Sequence, residues 1–123
     1  MAAVADGISM MELSAAELAA FAARLRARRA ELVALAEQTR ADRAPVQLDQ
    51  ASVGRLSRMD AIQQQQMALE ADRRRRQEIA AIDAALERIA THQFGDCARC
   101  GEPIAPARLA IDPTTLVCVR CAA

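Results

Sequence analysis

A mostly α-helical fold is expected for this chain: a long antiparallel helical hairpin, paired as a coiled coil, followed by a small four-cysteine module. Three observations predict it. Much of the 53% apolar content is alanine, with only Phe21 and Phe94 as aromatic residues. A seven-residue apolar repeat runs through residues 18–39. All four cysteines lie near the end of the chain as two closely spaced pairs. Alanine is the best helix former yet contributes little burial, so such a composition favours paired helices over a thick core. At 123 residues the chain is one modest domain or two small subdomains, and a metal staple would help it fold.

Residues 1–13 are mixed and aperiodic and are expected to form a disordered tail. Ser14-Ala-Ala-Glu17 then fits a capping box, in which the Ser hydroxyl and Glu carboxylate each satisfy a free amide at a helix start. Behind it Leu18, Phe21, Leu25, Arg28, Leu32, Leu35 and Thr39 alternate at spacings of three and four. So narrow a seam calls for a single partner helix. Pro45 and Gly54 break the pattern, which places the hairpin tip near 44–57 and the whole hairpin over 14–92.

The second helix is expected to start just after Asp49, or at Ser57 with Asp60 completing its cap, and to run to Ala90 or His92. At that length it spans roughly 50–60 Å. Ile79, Ile82, Leu86 and Ile89 form one apolar stripe near its end. Met59, Ile62 and Leu69 form another, out of phase with the first, which predicts a stutter near residue 72. His92, the single histidine, is read as a helix-end residue favoured by the dipole.

Cys97-Ala-Arg-Cys100 and Cys118-Val-Arg-Cys121 are separated by 17 residues within the 93–123 module. Each pair can turn two thiolates toward one ion, and two pairs complete a tetrahedral site, so one structural Zn²⁺ is expected in a C4 zinc finger. Gly101 follows where the backbone must turn back, and Arg99 and Arg120 are placed to offset the thiolate charge. A redox thiol pair would not explain the second pair, and four protein ligands leave no open position for a catalytic water. With no nucleophile, base and orienting group converging, an enzyme is not expected.

Charge narrows the partners. Sixteen arginines balance sixteen acids, with no lysine, and no segment is basic enough for a general duplex-binding surface. The scarcity of aromatics removes the stacking platform of a single-strand binder, so direct sequence-specific DNA binding is not expected. No run is long and apolar enough for a signal peptide or membrane helix, which predicts a cytoplasmic protein with reduced cysteines. An internal hairpin satisfies its own seam, so a monomer is expected.

The stretch Phe94-Gly95-Asp96-Cys97, Cys100-Gly101-Glu102-Pro103-Ile104, Arg108-Leu109, Pro113-Thr114 and Leu116-Val117-Cys118 resembles the C4 zinc finger of the DksA/TraR family. The similarity extends over about residues 45–121 and includes the Ile79–Ile89 stripe with the arginines before it. It implies a regulator of transcription initiation whose hairpin enters the secondary channel of RNA polymerase and brings acidic tip residues near the catalytic centre. The family's tip motif is Asp-x-x-Asp-x-Ala. Asp49-Gln50-Ala51 matches its second half, while Val46 stands at the first Asp; alignment without gaps from the cysteines brings the tip near Ser57, so Asp60 with Ala61 competes. Arg74 and Arg76 stand where relatives carry basic residues that touch the polymerase; a solvated face paired with Glu70, Asp72 and Glu78 is the plainer reading. Only two residues follow Cys121 and the region before the hairpin is short, which argues against a ppGpp response. A coiled-coil adaptor with zinc as a staple remains as a second reading.

Overall fold

The first helix begins where two short hydrogen bonds close on each other. The Ser14 N–H donates to Glu17 Oε1 at 2.8 Å and the Glu17 N–H donates to Ser14 Oγ at 3.0 Å, the capping box expected there. In the computed structural model, which describes residues 13–45 and 55–122, helix α1 runs over Ala15–Gln38 and α2 over Arg55–Ala90, followed by short helices α3 (Pro106–Ile111) and α4 (Val119–Ala122). A 3-10 turn at Arg40–Arg43 follows α1, and Pro45 holds Ala44 in an extended conformation that helix cannot continue through (φ −63°, ψ 151°). The chain divides into two compact units, residues 1–29 with 80–123 and residues 30–79.

In the first unit α1 and α2 run antiparallel, with Phe21 against Phe94 (5.3 Å between ring centroids) and Arg29 paired with Asp83 at 2.7 Å. Ala22, Leu25, Ile82 and Ala85 are buried there. Leu13, assigned to the tail by the sequence, instead packs on the core of the cysteine module; residues 1–12 lie outside the described residues.

In the second unit the same antiparallel sense holds, with Arg75 donating to Thr39 Oγ1 at 3.1 Å and Gln65 Nε2 to the Ala44 carbonyl at 2.8 Å. Three expectations are corrected here. Arg28 of the first unit and Leu35 of the second are exposed, and the neighbouring Arg29 and Ala36 are the less exposed positions, so α1 presents residues 32 and 36 inward, and Thr39 and Arg43 in the turn after it continue the same spacing. Met59, Ile62 and Leu69 are also exposed. The inner face of α2 is instead Ala61, Gln65, Ala68, Asp72, Arg75 and Ile79, an unbroken alternation of four and three, so there is no stutter near residue 72. The large apolar residues mark the wrong face because, apart from Leu32 and Ile79, the inward positions of this unit are small or polar. Finally, α2 is already helical at Arg55, so Ser57 lies within the helix and is not its cap.

The C-terminal end of α2 is a Schellman motif. The Gln93 N–H donates to the Arg88 carbonyl at 2.8 Å, the His92 N–H to the Ile89 carbonyl at 3.3 Å, and His92 takes a left-handed φ of 61°. Glycine normally fills that position, so His92 is a source of strain there and not only a dipole partner. His92→Gly is expected to stabilise the protein by roughly 0.5–1 kcal/mol, and His92→Val to destabilise it, both read from thermal melts.

Candidate metal centre

The cysteine module turns on two tight backbone reversals. The Cys97 N–H donates to the Glu102 carbonyl at 2.8 Å, the Gly101 N–H returns to the Cys97 carbonyl at 3.0 Å, and Gly101 takes φ 77°. Nothing would meet a Cβ at Gly101 within 4 Å, so conformation alone accounts for the glycine. The second pair straddles the start of α4, Cys118 just before it and Cys121 within it, and the Cys121 and Ala122 N–H groups both donate to the Cys118 carbonyl (3.1 and 2.9 Å). The two halves are joined by an Ala98 N–H bond to the Leu116 carbonyl at 2.7 Å and by Arg108 Nε to the Val117 carbonyl at 3.2 Å.

Beneath them lie Ile104 and Leu109, each 1% exposed, with Cys97 and Cys118 also buried. Pro106 opens α3, and an Asp112 carboxylate that accepts from the Thr114 N–H (3.0 Å) and hydroxyl (2.6 Å) turns the chain out of it. Arg88 of α2 donates to the Gln93 and Asp96 carbonyls, fixing how the chain leaves the helix for the module. Arg24 of α1 likewise donates to the Ala110 carbonyl at 2.6 Å. These two arginines are structural contacts that sequence reading missed, because a side chain reaching a distant carbonyl leaves no motif.

The four Sγ atoms of Cys97, Cys100, Cys118 and Cys121 lie within 4.8 Å of one another, and Cys100 and Cys118 are 3.7 Å apart. Tetrahedral zinc with bonds of about 2.3 Å requires sulfurs ~3.8 Å apart, so the set can hold one such ion. The Arg99 and Cys100 N–H groups point at Cys97 Sγ (3.4 and 3.5 Å), a donor pair that supports thiolate charge. Burial pushes the Cys97 thiol up, but backbone hydrogen bonds at Cys100, Cys118 and Arg99 outweigh it and bring the thiol to about 5. Cys121 is pushed up to about 12 by the thiols of Cys118, Cys97 and Cys100. The Arg99 guanidinium donates to the Cys121 carbonyl at 3.3 Å, so its contribution to the site is a backbone contact as well as charge.

A family model, the prokaryotic dksA/traR C4-type zinc finger, matches residues 92–123. The cysteine module is similar to the DksA/TraR C4-type zinc finger. The chain is also similar to the solved structure of transcription factor DksA2 from Pseudomonas aeruginosa, at 28% identity and a TM-score of 0.72, over 89% of this chain and 82% of that one. A search of curated proteins returned no match. The fold is thus DksA-like beyond the finger, and the finger's four cysteines are positioned for one zinc ion.

Asp49 and Ala51 lie outside the described residues, while Asp60 is exposed on α2. Arg73 and Arg74 both reach Glu70, Arg74 through Nε at 3.3 Å, and the Arg73 hydrogen bond holds the Glu70 carboxyl below its usual range. Arg76 Nε lies 3.1 Å from Asp72. Those pairings match the plainer reading of the arginine run, although Arg74 and Arg76 remain 75% and 70% exposed and so accessible. Among the described residues no helix is long and apolar enough to cross a membrane.

Proposed function

We propose that the protein is a DksA/TraR-like, non-enzymatic regulator of transcription initiation. It binds RNA polymerase through the secondary channel and presents an acidic hairpin tip near the catalytic centre. Cys97, Cys100, Cys118 and Cys121 hold one zinc ion, which is structural because four protein ligands leave no position for a reacting water. The protein acts in the cytoplasm as a monomer. The observation that carries the reading is the similarity to transcription factor DksA2 over 89% of the chain, since it takes in the paired helices as well as the finger.

In this reading the finger and helices supply affinity while the tip alters initiation. Asp49→Asn keeps the shape and hydrogen-bonding size of the side chain and removes its charge, so polymerase binding should persist while the effect on initiation falls. Asp60→Asn is the parallel test of the other alignment, and one of the two variants should behave this way. In vitro transcription with both variants decides it: if both regulate like the parent, an acidic tip is not the mechanism.

A zinc-stapled adaptor is the second reading, and the exposure of Met59, Ile62 and Leu69 along α2 favours it, since such residues suit a protein-binding face. Binding to a protein other than polymerase would separate the two.

A further inference from the structure

The second unit has an unusual inward face. Apart from Leu32 and Ile79, the inward positions 36, 61 and 68 are alanine, and position 65 is glutamine. Alanines at successive heptad positions are interchangeable, so apolar packing there discriminates weakly between one axial alignment of the helices and another shifted by a heptad, about 10 Å. Among these positions stands Asp72, which is 9% exposed. Its carboxylate faces Arg43 from the segment after α1 (3.5 Å) and Arg75 on its own helix (3.6 Å), both guanidinium side chains being at most 18% exposed, with Arg76 at 3.1 Å from the rim. Thr39 Oγ1 accepts from both Arg43 (3.0 Å) and Arg75 (3.1 Å) and donates to the Leu35 carbonyl.

This cluster is poorly built as a source of stability. Two of its ion pairs are long, and among the described residues the buried Arg75 Nε has no hydrogen-bond partner. A buried ion pair of that kind does little better than an apolar replacement, because desolvation offsets the attraction. What it does well is penalise error. Sliding α2 by one heptad along α1 would carry Asp72 away from Arg43 and Thr39 to the level of Leu32 and Ala36. A carboxylate there meets Leu32 and Ala36 in place of the guanidinium and hydroxyl it now faces.

We infer that the Asp72–Arg43–Arg75–Thr39 cluster is a register lock. It selects a single alignment of the two helices in this unit, at little or no gain in stability, where the alanine-rich face could not.

The test replaces Arg43, Asp72 and Arg75 together by leucine in the full-length zinc-loaded protein. Thermal melting is followed alongside amide NMR of residues 57–79, with light scattering for pairing between chains. The lock predicts a melt no more than about 5 °C below the parent, together with more than one set of amide signals or a swapped dimer. A larger drop in melting temperature would mean that the cluster is a stability element. One set of signals with the contact between residues 39 and 75 preserved would mean that the register is set elsewhere. Either result overturns the inference.

Discussion

Cys118→Ser is expected to abolish zinc binding and unfold the finger while leaving most of the helical circular dichroism intact. Cys118 is buried beside Ile104 and Leu109, and its sulfur is 3.7 Å from Cys100, so serine removes a thiolate from the centre of the site. Structural zinc contributes on the order of 10–16 kcal/mol in small fingers, far more than the Ile104–Leu109 cluster could replace. The paired helices have buried residues of their own, Leu25, Leu32, Ile82 and Ala85, so their pairing should persist without the ion. Metal analysis with amide NMR of residues 93–122 checks both halves of the statement. Acid should mimic the substitution. Without zinc the finger is unfolded, its cysteines return to the ordinary thiol range of about 8.5, and zinc must displace the protons they carry below that. Affinity therefore rises with pH and falls as pH is lowered, by about tenfold per pH unit for each displaced proton. Zinc affinity unchanged between pH 8 and pH 6 would contradict the displacement of a proton.

Leu25→Ala and Leu32→Ala are expected to destabilise the protein by roughly 2–4 kcal/mol each, because both side chains are almost fully buried, at 1% and 2% exposed. Leu35→Ala, on the same helix but 38% exposed, should cost well under half as much. Denaturant melts of the three variants measure the contrast directly. Equal losses at all three positions would mean that the inner face of α1 is not the one described.

That contrast also marks how far the fold could be read in advance. The capping box at Ser14 and Glu17, the helical pairing, and the four-cysteine cluster were legible because each depends on short-range chemistry at a fixed spacing. The seam was legible at Leu25 and Leu32, where the inward residue is also the large one. It failed at Leu35, Met59, Ile62 and Leu69, where large apolar residues face solvent and alanine, aspartate and arginine face inward. Periodicity weighted by size cannot find a seam whose members are Ala61, Ala68, Asp72 and Arg75; a search for any unbroken alternation of three and four would have found it. His92 showed no sign of a left-handed backbone, since glycine is the usual marker of that position. Within the site, the cysteines were found by spacing, whereas Arg24 and Arg88 act through carbonyls of residues distant in sequence or beyond a helix end.

Binding to polymerase is the central functional claim, and affinity capture with purified bacterial core RNA polymerase measures it most directly. The zinc-loaded protein is expected to form a saturable one-to-one complex that weakens as salt is raised. Reversing the charge at Arg74 and Arg76, two exposed guanidiniums, should weaken it further and flatten its salt dependence. Absence of any complex at micromolar concentrations of folded, zinc-loaded protein would contradict the account and leave the adaptor reading in its place.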